Sequence, residues 1–198
     1  MIALAPLLAL VGFSFVSSVT PGPNNVLLWA SGATFGFRRT TRHIVGTAVG
    51  IAAMALVAAA GLAALVTAVP ELAIAMKVAG SVYLLWLALQ MARGGGLAGT
   101  VVARPLGIRE AAAFQMLNPK AWIFALGAMT TFRPPGLPLE AGSLLVAATM
   151  FAVILPTASV WAVGGEALSR LVSSERAGRA LSLVMAALVA LTVVSVWL

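Results

Sequence analysis

Two short segments hold most of the residues of this sequence that could do chemistry. The first reads TPGPNN and comprises Thr20, Pro21, Gly22, Pro23, Asn24 and Asn25; the second reads MLNPKAW and includes Asn118, Pro119 and Lys120. Proline lacks a backbone N–H and glycine tolerates unusual backbone angles, so each segment should interrupt a helix and free backbone carbonyls. Amides and free carbonyls can bind an ammonium group, and a lysine can bind a carboxylate. Together these groups could hold a small zwitterion.

The composition indicates that a membrane surrounds these segments. Of the 198 residues, 62% are hydrophobic and only 9% are charged, and the mean hydropathy is +1.08. A soluble domain of this length could not bury so much apolar side chain. We therefore predict an all-α polytopic membrane protein. Cysteine is absent, which excludes disulfides, thiolate metal sites and cysteine nucleophiles, and we expect no metal and no cofactor.

Apolar runs of about 20 residues predict six transmembrane spans in one domain covering residues 1–198. The spans are Ile2 to Val19 continuing to Phe37, Ile44 to Val69, Leu72 to Ala92, Ala111 to Phe132, Gly142 to Gly164, and Ala180 to Leu198. The first run lacks a basic region before it, so we expect a retained span rather than a cleaved signal peptide.

The positive charges predict the orientation. Nine of the twelve lysines and arginines lie after span 1, between spans 3 and 4, or between spans 5 and 6. The positive-inside rule makes those connections cytoplasmic and both termini extracytoplasmic. The net charge of +7 therefore reflects topology, and we expect membrane lipid rather than nucleic acid as the partner.

A basic, glycine-rich linker at about residues 93–108 divides the chain into two halves of three spans, at about 1–92 and 109–198. An odd number of spans makes the halves enter the membrane from opposite sides, so they would form an inverted repeat. Span 1 would measure about 54 Å as one helix against a hydrocarbon core of about 30 Å, so it must break. We expect helices to restart near Pro23 or Asn24 and, after a cap at Asn118, at Pro119. Such paired breaks meet near the midplane of transporters.

Lys120 is the residue that most strongly suggests a binding function. It lies about 16 Å along a helix from Arg109, and intramembrane ionisable residues are functional candidates by default. We predict that Lys120 and the two helix N-termini attract a substrate carboxylate, while the amides and free carbonyls bind its ammonium. Gln115, close to Asn118, is a possible further cavity residue. Alternatively, Lys120 snorkels or is a structural pin bonded to carbonyls of the unwound segment.

The two segments resemble those of the LysE/RhtB family of amino acid exporters, and the resemblance covers nearly the whole chain. It includes TPGPN, the basic cluster GFRRTTR, GSVYLLWLA at Gly80 to Ala88, and NPK. The first segment is most similar to the cysteine and O-acetylserine branch. Many relatives end the fourth span with a PQF-like sequence, whereas Thr130 to Pro134 reads TTFRP here. The resemblance implies secondary, proton-driven export of small amino acids or their derivatives across a bacterial inner membrane.

Several other interpretations follow from the same residues. An intramembrane enzyme could pair Ser17 or Ser18 with Lys120, and a transporter could carry another small polar metabolite. Proton coupling could use Glu166, Lys120 or the substrate. His43 lies at a predicted cytoplasmic helix start among arginines, poorly positioned for a proton relay. GxxxG patterns at Gly32 to Gly36 and Gly46 to Gly50 indicate close packing within one protomer or, alternatively, a homodimer interface.

Overall fold

The computed structural model describes residues 4–62, 69–93, 104–171 and 174–197, and within these ranges the chain is helical and contains no strand. The prediction of an all-α protein is therefore confirmed. The described residues form eight α-helices: α1 (Leu4–Val19), α2 (Pro23–Phe35), α3 (Phe37–Val57), α4 (Pro70–Arg93), α5 (Ile108–Met116), α6 (Pro119–Phe132), α7 (Leu139–Leu171) and α8 (Glu175–Trp197). A π-helical turn, Ala58–Leu62, continues α3.

Both predicted helix interruptions are present. Between α1 and α2 the chain unwinds for three residues, and the two helices are bent by 62° to each other. Gly22 is the residue before α2, and Pro23 occupies its first turn. Between α5 and α6 only Leu117 and Asn118 lie outside the helices, and Pro119 begins α6. Proline is tolerated in a first turn because those N–H groups have no helical partner.

The lengths and compositions of the helices fit a membrane protein. Among the described residues, two helical segments, Phe37–Gly61 and Leu139–Leu171, are long and apolar enough to cross a membrane, and the bent pair α1 and α2 would be a third span. Six spans remain a prediction. The predicted linker lies mostly outside the described residues, which resume at Arg104.

The main hydrophobic core lies between α1, α3, α6 and α7, with Leu28 of α2, and includes Leu10, Met54, Phe124 and Met150. A smaller core joins α4 and α8 to Val26 of α2. These two cores bury opposite sides of α2, so this short helix is fixed in position although it is broken away from α1.

Small residues allow α2 and α7 to approach at backbone distance. A Cβ atom on Gly32 would lie 2.0 Å from the Ala162 carbonyl oxygen, and one on Gly165 would lie 2.0 Å from that of Trp29. Gly46 and Gly50 likewise face α5. Three of the four GxxxG glycines therefore pack within the protomer, as the first interpretation of those patterns predicted.

Three local expectations need correction. Helix α2 was expected to run on to the arginines, but it ends at Phe35 because Gly36 adopts a φ of 79°, in the left-handed region that favours glycine. The arginines that follow lie inside α3 rather than in a connection. His43 is 1% exposed, so it is buried in α3 and does not lie at a surface helix start.

Candidate functional site

The two helix breaks open onto one cavity of about 40 Å³, which has room for a few water molecules. Residues of α1, α2, α3, α5, α6 and α7 line it. The polar lining residues come mainly from the two breaks, and the apolar ones include Ile51, Phe124 and Ile154. A few convergent polar groups in an apolar hollow are typical of small-molecule sites.

Side chains satisfy the carbonyls that the first break frees. Asn25 Nδ2 donates to the carbonyl oxygens of Ser18 and Thr20, at 2.8 Å in each case. Buried backbone oxygens without partners would destabilise the fold, so this asparagine, at the start of α2, stabilises the end of α1. Its side chain is thus already engaged in the observed state.

Lys120 crosses from the second break to the first. Its Nζ donates to the carbonyl oxygens of Thr20 at 2.5 Å and Pro21 at 3.3 Å. A Cβ atom on Gly22 would lie 2.9 Å from Lys120 Cδ, so the absence of a side chain at Gly22 makes room for the lysine. The observed state thus has the contacts of the structural-pin alternative, in which the lysine holds the unwound segment.

A network of buried polar side chains connects the two halves of the chain. Asn24 Oδ1 accepts hydrogen bonds from Thr47 Oγ1 at 3.1 Å and Gln115 Nε2 at 2.8 Å. Gln115 Nε2 also donates to the carbonyl of Ala111, and Gln115 Oε1 accepts a long bond, 3.4 Å, from Asn118 Nδ2. Because all of these side chains are buried, each hydrogen bond is expensive to lose.

Asn118 has a buried amide oxygen that no other described residue contacts by a hydrogen bond. It lies at the cap position of α6, but its side chain makes no capping hydrogen bond. Its Oδ1 is buried and has no hydrogen-bond partner among the described residues, although Asn118 lines the cavity. A buried amide oxygen of this kind normally has a partner, so a ligand donor would fit here.

The second break is satisfied locally. Pro119 interrupts the backbone bonding at the end of α5, and the indole Nε1 of Trp122 donates to the freed carbonyl of Met116 at 2.9 Å. Pro119 itself packs against Gly80 of α4, where a Cβ atom would lie 2.6 Å from its ring. The position of Lys120 is therefore fixed by contacts on both sides of the break.

The structure brings the ten predicted site residues together around these breaks. Seven line the cavity: Gly22, Pro23, Asn24, Asn25, Gln115, Asn118 and Lys120. Thr20 and Pro21 contribute the carbonyls that Lys120 binds, and Pro119 lies against α4 rather than in the lining.

Sequence reasoning missed two polar lining residues, Thr47 and Thr157. Single threonines within apolar helices give no signal of their own. Pro156, inside α7, was an available signal for Thr157, because a proline in a helix interior removes a hydrogen bond and marks a special position.

Two other candidates are bonded elsewhere. Glu166 accepts a hydrogen bond from the backbone N–H of Phe37 at 2.7 Å and pairs with Arg170, and it is not a lining residue. Ser18 Oγ donates to the Phe15 carbonyl at 3.0 Å, while Lys120 is bound to carbonyls. This arrangement does not place a serine hydroxyl in hydrogen bond with the lysine.

Sequence comparison decides the family. Residues 15–197 match the family model described as LysE type translocator. The chain belongs to this family. It is 30% identical over 164 residues to the cysteine/O-acetylserine efflux protein of Klebsiella pneumoniae subsp. pneumoniae, covering 82% of the chain and 83% of that protein. It is 29% identical over 178 residues, 89% of each chain, to the protein of the same description from Escherichia coli K12. No solved structure is significantly similar.

The family is described as one of translocators, and the relatives named here are described as efflux proteins and not as enzymes. The residues that first suggested this family, at the two helix breaks, are the residues that surround the cavity. The family assignment and the geometry therefore draw attention to the same part of the molecule.

Proposed function

We propose that this LysE-family protein exports cysteine, O-acetylserine or a closely similar small amino acid from the bacterial cytoplasm, by alternating access around the cavity between the two helix breaks. The single observation that carries the proposal is that residues of the TPGPNN and NPK segments, about 95 residues apart in sequence, line one cavity. The printed descriptions of the relatives supply the substrate class.

The contacts of Lys120 suggest how a zwitterion would bind. In the observed state the ammonium of Lys120 occupies the carbonyls of Thr20 and Pro21. A substrate can replace both halves of this contact, because its carboxylate can accept from Lys120 and its ammonium can donate to the carbonyls. The exchange keeps the Lys120 ammonium and both carbonyls paired, which avoids the cost of leaving one of them unsatisfied.

The remaining polar groups would orient the substrate. Asn118 Oδ1 has no hydrogen-bond partner among the described residues and would receive a second ammonium hydrogen. Helices α2 and α6 both begin at the cavity, and the positive partial charge at their N-termini favours the carboxylate. Because the substrate would contact groups at both breaks, its binding would change the distance between them. Alternating access requires a movement of this kind.

This mechanism includes the predicted architecture: six spans arranged as two inverted three-helix repeats, with both termini outside. The paired breaks support it because broken helices at corresponding positions of two halves are typical of inverted-repeat transporters. For proton coupling, the bonded state of Glu166 favours Lys120 or the substrate as the carrier. A homodimer remains compatible with this scheme.

Counterflow in proteoliposomes tests the function. Vesicles containing the full-length protein and unlabelled amino acid are diluted into labelled cysteine, O-acetylserine, threonine, homoserine, lysine or leucine, with and without a pH gradient. We expect labelled cysteine or O-acetylserine to accumulate transiently, and to a greater extent with the gradient. Accumulation of none of the six would overturn the proposal, and an effect of the gradient on none of the transported amino acids would remove the proton coupling.

A further inference from the structure

A second cavity, of about 350 Å³, lies at the start of α3. Its lining includes Arg38, Arg39 and Arg42 from the first two turns of α3, and Arg104 and Gly107 from the chain that leads into α5. We call it the arginine cavity. Four arginines from two separate segments thus line one cavity. All four arginines are exposed, so a ligand can reach them.

The local backbone adds to this positive charge. Helices α3 and α5 both begin beside the cavity, at Phe37 and Ile108, and helix N-termini have positive partial charge that favours anions and disfavours cations. The first turn of α3 contains no acidic residue. Carboxylates are present at both helix starts, since Glu166 accepts a hydrogen bond from the Phe37 N–H and Glu110 lies in the first turn of α5. The arginine side chains, rather than the helix ends, are therefore the main source of positive charge here.

Carboxylates compensate only part of this charge. Glu110 accepts hydrogen bonds from Arg104, at 2.5 and 2.9 Å, and from the Gly107 N–H. Arg39 lies over the ring of Phe35 at 5.7 Å. Among the described residues, Arg38, Arg39 and Arg42 form no salt bridge, since the ion pairs there join Arg104 to Glu110 and Arg170 to Glu166.

The positive-inside rule accounts for arginines on this side of the protein but not for their convergence. Arg38 and Arg42 are four residues apart on one helix face, and like charges at that spacing are destabilising. Arginines that were dispersed around the helix, or paired with acidic residues, would determine the membrane orientation equally well. A bound anion would offset the repulsion between the arginines and could accept hydrogen bonds from their guanidinium groups.

We propose that the arginine cavity binds a phosphate group, presented by the headgroup of an anionic phospholipid or by soluble phosphate. Guanidinium groups bind phosphate oxygens through paired N–H donors, and basic pockets between transmembrane helices on the cytoplasmic side bind anionic headgroups. This site is separate from the substrate cavity, and its existence does not depend on the transported amino acid.

The test measures thermal unfolding of the purified full-length protein in detergent, with added cardiolipin, phosphatidylglycerol, phosphatidylcholine or inorganic phosphate. We compare the wild type with Arg38→Gln/Arg42→Gln, and with Arg176→Gln/Arg179→Gln as a control that removes the same charge from the first turns of α8. Each basic residue near a membrane surface changes anionic lipid affinity by roughly fivefold, so the double variant should bind roughly 30-fold more weakly.

We expect an anionic additive to raise the unfolding temperature of the wild type and the control but not of Arg38→Gln/Arg42→Gln. An effect of cardiolipin or phosphatidylglycerol alone assigns the site to lipid, and an equal effect of inorganic phosphate assigns it to the soluble ion. Equal stabilisation of all three proteins, stabilisation by phosphatidylcholine to the same extent, or no stabilisation would overturn the proposal. If the glutamine variant does not fold, Arg38→Lys/Arg42→Lys retains the charge without the paired donors and should lose part of the shift.

Discussion

At the scale of single residues, Lys120 has the central role. Its ammonium links the NPK segment to the unwound carbonyls of the TPGPNN segment, and among the described residues it is the one cation that lines the cavity between the breaks. In the proposed mechanism Lys120 holds the two breaks together and then binds the substrate, so substrate binding would change the contact between the breaks. This makes the state of Lys120 the control point of the proposed transport cycle.

Replacing Lys120 with methionine should abolish counterflow while leaving folded protein in the membrane. Methionine has similar length and fits an apolar surrounding, but it cannot donate to a carboxylate. Counterflow and size-exclusion chromatography on the same preparation measure the two properties. Gly22→Ala is the companion change, since its Cβ would displace the flexible lysine and should lower the transport rate. Normal transport by Lys120→Met would remove the lysine from the mechanism.

The two buried amides Asn24 and Asn118 should respond differently to alanine. Asn24→Ala leaves the Thr47 hydroxyl and one Gln115 bond without their acceptor, so we expect destabilisation by about 1–3 kcal/mol. Asn118→Ala removes only a 3.4 Å bond and no side-chain cap, so the loss should stay below about 1 kcal/mol while the substrate KM rises. Thermal unfolding and concentration-dependent transport separate these effects. Equal loss of stability in both variants would contradict the assignment of Asn118 to substrate.

Sequence reasoning pointed to most of the polar residues that line the cavity because their signals are local. Prolines and a glycine inside an apolar run indicate a broken helix wherever they occur, and a lysine there is conspicuous. The acceptors of Lys120 and the partners of Asn24 depend on how separate helices pack, so only the alternatives could be stated beforehand. Thr47 and Thr157 went unnoticed because a single threonine looks the same in a cavity wall and in a packed interface.

At the scale of the helices, the packing of α2 against α7 determines the position of one half of the cavity. The helix α2 begins at the cavity and lies against α7 at backbone distance. Its position was not readable from the sequence, because the GxxxG patterns indicated close packing but not the partner. Helix α2 also ends earlier than predicted, at Phe35, because the φ angle of Gly36 separates it from α3.

The neighbouring glycines 164 and 165 of α7 provide a matched pair of substitutions. A methyl group on Gly165 would meet the Trp29 backbone at 2.0 Å, whereas one on Gly164 meets nothing within 4 Å. We expect Gly165→Ala to lower the unfolding temperature strongly or prevent folding, since backbone cannot move aside as a flexible side chain can. Gly164→Ala should be neutral or stabilising by up to about 1 kcal/mol, as alanine is the better helix former. If both variants unfold at the same temperature, α2 and α7 do not pack in this way.

At the scale of the whole molecule, the proposed export requires that the protein have one fixed orientation in the membrane. Composition and charge distribution predicted an all-helical membrane protein. Both are properties of the whole sequence, so this prediction did not depend on any single contact. The arrangement of six spans depends on helix pairing between distant parts of the chain, for which a single sequence offers only the count of apolar runs.

The absence of cysteine makes orientation directly measurable. We expect Gly136→Cys, in the connection between α6 and α7, to react with a membrane-impermeant maleimide in intact cells. Arg176→Cys, at the start of α8, should react only after permeabilisation. Both positions are exposed, so access to the reagent depends on the side of the membrane. The reverse labelling pattern would invert the topology, and labelling of both in intact cells would rule out the intervening span.

The most direct test of the central claim is substrate protection of a cysteine placed in the cavity wall. Thr157→Cys lies in the lining, and Ser159→Cys lies on the same helix outside it. The alkylation rate of each variant is measured in membranes with and without the amino acid that gives counterflow. If the amino acid binds in the cavity between the helix breaks, it should slow modification of Thr157→Cys severalfold and leave Ser159→Cys unchanged. An unchanged rate at Thr157→Cys, in a variant that still transports, would contradict binding in this cavity.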